Sequence, residues 1–226
     1  MGKRDRGCMN MAQQFAVIGL GRFGMSVART LSELAQEVFA IDVNEEKVQR
    51  IAPTVTHAVV ADVTDIDAMR SIGIRNVDVA VITVGSEIKA SMVGTMVLKE
   101  LGVRTIVAKA NDDLHGKVLE KLGADKVVFP ERDGGWRLAR LLTSTNLIEQ
   151  IDLDPDYSIV ELTAPASLTG KSLAELAVRA RFGVYIMAIR SGRAMTVAPG
   201  ADDVIHEGDV LVVIGRNDLL QRFRKS

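Results

Sequence analysis

The sequence predicts an α/β protein: a Rossmann-type doubly wound parallel sheet, a dimerising crossover helix, and a small α+β C-terminal domain. Three observations carry that reading. Six short apolar runs alternate with amphipathic stretches between Phe15 and Pro130. The first run leads into the glycine-rich turn Gly19-Leu20-Gly21-Arg22-Phe23-Gly24. Beyond the acidic stretch Asp152-Leu153-Asp154-Pro155-Asp156 the pattern changes to alternating strands and short helices.

The strand-like runs are Phe15–Ile18, Glu37–Asp42, His57–Ala61, Val77–Thr83, Thr105–Ala108 and Lys126–Phe129. Most read as nearly continuous apolar segments, as strands do when helices cover both faces of a parallel sheet. Helices are expected at Phe23–Leu34, Glu45–Ile51, Ile66–Ile72, Glu87–Leu101 and Leu114–Leu122. Gly73, Gly102 and Gly123 stand where three of these should stop. A further helix is expected over Arg132–Glu149, with Leu138, Leu141, Leu142, Leu147 and Ile148 at helical spacing and the sole tryptophan, Trp136. It follows a completed sheet, so its apolar stripe packs on its own domain or, as favoured here, on a second subunit.

In the C-terminal part, strands are expected at Tyr157–Thr163, Val184–Ile189, Met195–Val197 and Val210–Ile214. Ser191-Gly192-Arg193 marks a hairpin, Leu173–Arg179 a short helix, and Asn217–Phe223 a closing helix with Asn217 as its cap. The expected domains are a disordered segment 1–13, a nucleotide-binding domain 14–130, a crossover helix and linker 131–152, and a C-terminal domain 153–226. About 70 residues make a marginal core, so dimerisation is expected.

Composition narrows the function. Of 226 residues, 47% are hydrophobic and 25% charged, as in an ordinary soluble domain. A net charge of −1 and a pI near 6.3 argue against a nucleic-acid partner. The single cysteine, Cys8, excludes a disulfide framework and fits a reduced cytoplasm. No apolar run reaches the ~18 residues of a membrane span, and Met1–Met11 is too polar for a signal peptide.

The glycine turn is the site the chemistry needs. In a strand–turn–helix unit the first glycine permits the sharp turn and the second lets backbone approach a phosphate. The third lets helix pack on strand, and the helix N-terminus presents N–H groups to the anion. Gly19, Gly21 and Gly24 take these places, followed by Phe23 in the helix and by Asp42 closing the next strand, where an acid bonds a ribose hydroxyl. Arg22 adds a guanidinium beside the phosphates, which favours ATP or ADP over NAD, whose pyrophosphate is internal. The alternative is an arginine turned to solvent. Asp62, beside Val63, ends the third strand and can reach an adenine amino group; the alternative is a helix cap, a role that suits Asp65 better. The three histidines, His57, His115 and His206, have no metal-helix spacing and read as surface or packing residues. No catalytic constellation is evident, so an enzyme is not expected. An NAD/NADH sensor or an NAD-dependent oxidoreductase on the same fold is the rival reading.

Phe15–Gly24, Ala61-Asp62-Val63-Thr64-Asp65, Gly123-Ala124-Asp125, Pro130-Glu131-Arg132-Asp133 and Val204–Asp209 together resemble the cytoplasmic RCK (KTN) subunits that gate Ktr- and Trk-type potassium transporters. The resemblance runs from about Gln14 to Phe223. It implies a regulatory subunit on the inner face of the cell membrane, docked on a potassium-translocating subunit of the KtrB/TrkH-like kind. Dimers would assemble into an octameric ring whose shape responds to ATP and ADP. The resemblance implies nucleotide roles for Gly19, Gly21, Arg22, Gly24, Asp42 and Asp62. Lys109 and Arg132 are further basic candidates near that edge; the alternative for both is a surface salt bridge. Glu131 matches a family acid that can meet a divalent cation, magnesium or calcium; as plain sequence it is equally a first-turn helix acid. The C-terminal domain is implied to take cyclic di-AMP near Val178–Ile186, with Arg179 and Val184 as candidates; the alternative for Arg179 is a side chain snorkelling at a helix end.

Overall fold

The computed structural model describes residues 13–85, 87–143 and 146–226. Contacts divide the chain into a unit ending at Asp133 and a second unit from Gly134 to Ser226. Most of the segment expected to be disordered lies outside the described residues. Gln13 itself is held, its N–H on Gln36 Oε1 and its carbonyl accepting from Glu37.

In the first unit, elements alternate as the apolar pattern requires: β1 (Gln14–Ile18), α1 (Arg22–Glu33), β2 (Glu37–Asp42), α2 (Glu45–Ile51), β3 (His57–Val60), α3 (Ile66–Ser71), β4 (Val79–Ile82), α4 (Ile88–Glu100), β5 (Thr105–Lys109), α5 (Asp113–Lys121) and β6 (Lys126–Val128). The strands form one parallel sheet in the order β3-β2-β1-β4-β5-β6. Alternate residues of β1 feed opposite cores. Ala16 and Ile18 pack with Ile41, Met69, Leu98 and Ile106, while Val17 packs with Ala28, Val38, Val48 and Ile51. The order reverses between β1 and β4, and at their C-terminal ends such a reversal opens a crevice. Asn44, Asp65 and Asp112 cap α2, α3 and α5 through their side chains. Among the described residues no helix is long and apolar enough to cross a membrane.

Helix α6 (Pro130–Leu142) runs across the division between the units and buries none of its residues. It is shorter than expected. The Arg132–Glu149 helix ends at Leu142, and Leu147–Asp152 forms a strand, β7, paired antiparallel with β8 (Tyr157–Thr163). The acidic stretch Asp152–Asp156 is therefore a hairpin turn rather than a joint. Asp154 Oδ1 accepts the N–H groups of Asp156 and Tyr157, and Leu153 N–H bonds Tyr157 O.

The second unit continues with β9 (Lys171–Ser172), α7 (Leu173–Leu176), α8 (Val178–Phe182), β10 (Tyr185–Ser191), β11 (Ala194–Val197), β12 (Val204–Ile205), β13 (Val210–Arg216) and α9 (Asn217–Arg224). A five-stranded antiparallel sheet, β11-β10-β13-β8-β7, covers a core that holds Leu162, Leu176, Leu211, Val213 and Phe223. The expected Leu173–Arg179 helix is two. Ala177 adopts φ 44°, a left-handed conformation that breaks the helix and turns the chain.

Asn217 does not cap α9; Arg216 holds that position. The Asn217 amide instead closes the β7–β8 hairpin: Nδ2 donates to Pro155 O at 3.0 Å, and Oδ1 lies 2.6 Å from the hydroxyl of fully buried Ser158. Asn217→Ala removes both bonds, but the Ser158 hydroxyl keeps Asp152 Oδ1 at 2.9 Å, so a loss of about 1 kcal/mol in unfolding free energy is expected. Denaturant titration of the variant checks it.

Candidate functional site

The C-terminal edge of the parallel sheet opens into a cleft of about 780 Å³, inside the roughly 300–1,000 Å³ range of small-molecule sites. Gly19, Gly21, Arg22, Phe23, Asp42, Asp62, Val63, Lys109 and Glu131 all line it. Gly24, predicted with them, lies beneath the floor.

The three glycines do different work. Gly19 sits at φ +94°, and a Cβ there would fall 2.8 Å from Val84 N. Gly24 is the point where α1 touches β1 and β4, facing the Gly19 carbonyl and Thr83 Oγ1. Gly21 has neither need. Its backbone is extended (φ −70°, ψ −175°), and a Cβ there would meet no protein atom within 4 Å. It precedes α1, whose first turn holds no acid and whose N-cap has no side-chain bond. The arrangement leaves α1's N-terminal dipole directed at open space above Gly21.

Thr83, just past β4, buttresses the turn from below. Its buried hydroxyl bonds the Gly19 carbonyl, and its N–H donates to Ile18 O at 2.8 Å. Sequence reasoning ended a strand at Thr83 and gave it no role.

At one end of the cleft stand the ribose and adenine candidates. Asp42 is 6% exposed and already bonded: its carboxylate accepts the N–H groups of Leu20 and Asn44 and lies 3.2 Å from Lys47 Nζ. It thus braces the glycine turn as well as facing the cleft. Lys47 follows Asp42 by five residues, and the short turn from β2 into α2 lays its side chain over the carboxylate. Asp62 is exposed, with Oδ1 accepting from Thr64 N–H and hydroxyl. Helix α3 is capped by Asp65, as the residues suggested. Val63 is buried against Gly94 of α4.

The other end gathers the charges. Lys109 Nζ, 12% exposed, lies 2.6 Å from Glu131 Oε1 in the first turn of α6. This bond holds the Glu131 carboxyl below its ordinary value despite some burial, and the Arg22 charge adds to the effect. Arg22, Lys109 and Glu131 thus share one electrostatic neighbourhood that sequence spacing did not connect. Arg132 turns aside, over the Phe129 ring and onto Asp113. Gly85 is tied in by Asn111 Nδ2, 2.7 Å from its carbonyl.

No group of three or more His, Cys, Asp or Glu positioned to hold a metal occurs among the described residues. Glu131 offers one carboxylate, engaged by Lys109.

In the second unit Arg179 and Val184 share a recess of about 270 Å³ with Tyr185, Ile186 and Pro199. Arg179 is exposed, while Val184 is buried with its side chain against Gly215. His57 stacks near Phe39 with ring centroids 4.6 Å apart, His206 is exposed in the turn before β13, and His115 is buried.

A switch-point cleft with a glycine-rich turn, cations at one end and an acid at the other defines a Rossmann-type nucleotide-binding protein. Family comparison makes this specific. The TrkA-N domain model matches residues 15–130 and the TrkA-C domain model residues 157–226. The chain is 45% identical over 215 residues to Ktr system potassium uptake protein C of Bacillus subtilis (strain 168), covering 95% of this chain and 97% of that protein. It is 44% identical over 214 residues to Ktr system potassium uptake protein A of the same organism, covering 95% and 96%. Among solved structures, the GsuK channel bound to NAD superposes with a TM-score of 0.63 over 95% of this chain and 39% of that chain. At 20% identity that likeness speaks to the fold. The chain belongs to the TrkA-N/TrkA-C family, the RCK (KTN) proteins that include the Ktr potassium uptake proteins.

Proposed function

We propose that this chain is the non-enzymatic, nucleotide-binding regulatory subunit of a Ktr-type potassium uptake system, acting in the cytoplasm on a KtrB/TrkH-like membrane subunit. The near-full-length similarity to two Ktr proteins supports the system. The observation that carries the nucleotide is Gly21: neither backbone nor packing requires a glycine there, and a phosphate does. Nucleotide charge then lies between α1's N-terminus, Arg22 and Lys109, while Asp42 and Asp62 face ribose and base.

ATP and ADP are the proposed ligands. A γ-phosphate adds charge at the Arg22–Lys109 end, so the two nucleotides hold that end differently. Their relative affinities for two ring shapes set how far the ring moves. A magnesium or calcium ion is proposed to arrive with the nucleotide, its phosphate oxygens supplying the ligands that Glu131 alone does not. A nucleotide-binding domain at 14–130, a C-terminal domain that takes in β7, dimerisation through α6 with its exposed Leu138 and Leu142, and an octameric ring belong to the same proposal. So does cyclic di-AMP at the Arg179–Val184 recess.

Calorimetric titration with ATP, ADP, NAD and NADH, with and without magnesium, tests it. Tight ATP and ADP binding with weak NAD is expected. NAD is the rival because Asp42 suits a dinucleotide ribose equally well, and a preference for NADH over NAD would replace the proposal with redox sensing. Arg22→Ala is expected to weaken ATP about tenfold, as one charge-assisted contact is worth, and ADP less. Unchanged ATP affinity would remove Arg22 from the site.

A further inference from the structure

Behind the charged end of the cleft lies a buried histidine that the nucleotide contacts do not use. His115 is 3% exposed in the first turn of α5, with its N–H on the Asp112 cap at 2.8 Å. Its Nδ1 accepts the Asn111 N–H at 3.3 Å, and its Nε2 lies 3.2 Å from Ser91 Oγ on α4. A ring nitrogen that accepts a backbone N–H carries no proton, so the ring is neutral with the hydrogen on Nε2 facing Ser91. Asn111 passes the restraint on, since its side chain holds the Gly85 carbonyl at 2.7 Å. Gly85, Lys109 and Lys89, two residues before Ser91, line the cleft. One ring therefore fixes the loop after β5 and the start of α4, the two segments flanking the phosphate end.

We infer that His115 is a positioning residue for the nucleotide's terminal phosphates, and that nucleotide affinity falls when its ring takes up a proton. The inference rests on the nucleotide reading of the cleft. A second proton would put Nδ1–H against Asn111 N–H, break that bond and release the Asn111–Gly85 clasp. The groups facing the ring from α4 and from the loop, Ser91 and Asn111, carry no charge. The charged neighbour is Asp112, whose field favours protonation but is outweighed by burial, so the ring's pKa lies below its ordinary value and the loss comes on the acid side of it.

The test is calorimetric titration of the full chain with ATP and with adenosine at about pH 7.5 and 4.5, the acid point set about two units under the ordinary histidine value because burial lowers this ring's pKa. Wild type is compared with His115→Asn and His115→Gln, with thermal melts confirming that each is folded. The asparagine oxygen takes the Nδ1 position and keeps accepting without titrating. Wild type is expected to lose about tenfold more ATP affinity than His115→Asn over this interval, as loss of one bond predicts. Titration of ATP's own phosphates is common to both proteins and cancels. Adenosine, lacking phosphates, should show no difference between wild type and variant. Equal pH slopes for ATP in wild type and the folded variants would overturn the inference while leaving the nucleotide site standing. An equal pH-dependent loss for adenosine would mark His115 as a general support of the fold instead. Failure of wild type to bind ATP at pH 7.5 would overturn the nucleotide reading itself, and this inference with it.

Discussion

Gly21→Val is expected to leave the protein folded and to remove its nucleotide binding, by about 100-fold or more in affinity. The backbone at Gly21 is extended, in a region any residue adopts, and the space around a Cβ is open to 4 Å. The fold therefore loses no more than about 1 kcal/mol, the cost of a poorer N-cap. The ligand loses much more. A phosphate reaches the N–H groups at the start of α1 only if nothing projects from Gly21, and the valine methyls fill that approach. About 100-fold corresponds to about 2.7 kcal/mol, the upper range of one charge-assisted bond. Calorimetry with ATP and ADP, alongside thermal unfolding of the same samples, reads both quantities. Retained binding in a folded variant would show that no phosphate approaches this turn.

How far the sequence announced this site depends on the range of the interaction involved. The glycine turn, the strand before it and Asp42 after it were legible because each is a local requirement of one strand–turn–helix unit. The partnership of Lys109 with Glu131 was not, since those residues end β5 and open α6, and only sheet order makes the two segments neighbours. Thr83 escaped for the same reason. Lys47 did not escape for that reason: it lies only five residues after Asp42, and its contact is local. The fold misreadings have a different cause. Leu147–Asp152 carries apolar residues at positions that suit a helix continuing from Leu142, but pairing with β8 gives it an antiparallel partner, and that tertiary contact decides its state. Asn217 looks like a helix cap in isolation. Its amide is claimed by Ser158 and Pro155 across the hairpin, contacts that local spacing does not encode.

Gly24→Ala is expected to do what Gly21→Val does not: destabilise the first unit by about 3 kcal/mol, the upper part of the range for overpacking a tight contact. A Cβ at Gly24 would lie well under 3.0 Å from both the Gly19 carbonyl oxygen and Thr83 Oγ1. Neither neighbour yields readily. The Gly19 carbonyl belongs to the turn whose N–H is pinned to Ile41 O at 2.8 Å, and the Thr83 hydroxyl is bonded to that same carbonyl. Relief requires α1 to move off β1 and β4, which opens packing in the core around Val17 and Ala28. Thermal unfolding without nucleotide should show the loss as a fall in midpoint of roughly 10 °C for a unit of this size. The response to ligand then separates the two variants. A nucleotide that binds only the folded state stabilises it in proportion to the logarithm of its concentration over Kd. Saturating ATP should therefore raise the midpoint of any folded Gly24→Ala that keeps the site, and leave that of Gly21→Val where it was. A Gly24→Ala protein with an unchanged midpoint would mean that α1 does not press on the sheet at this glycine.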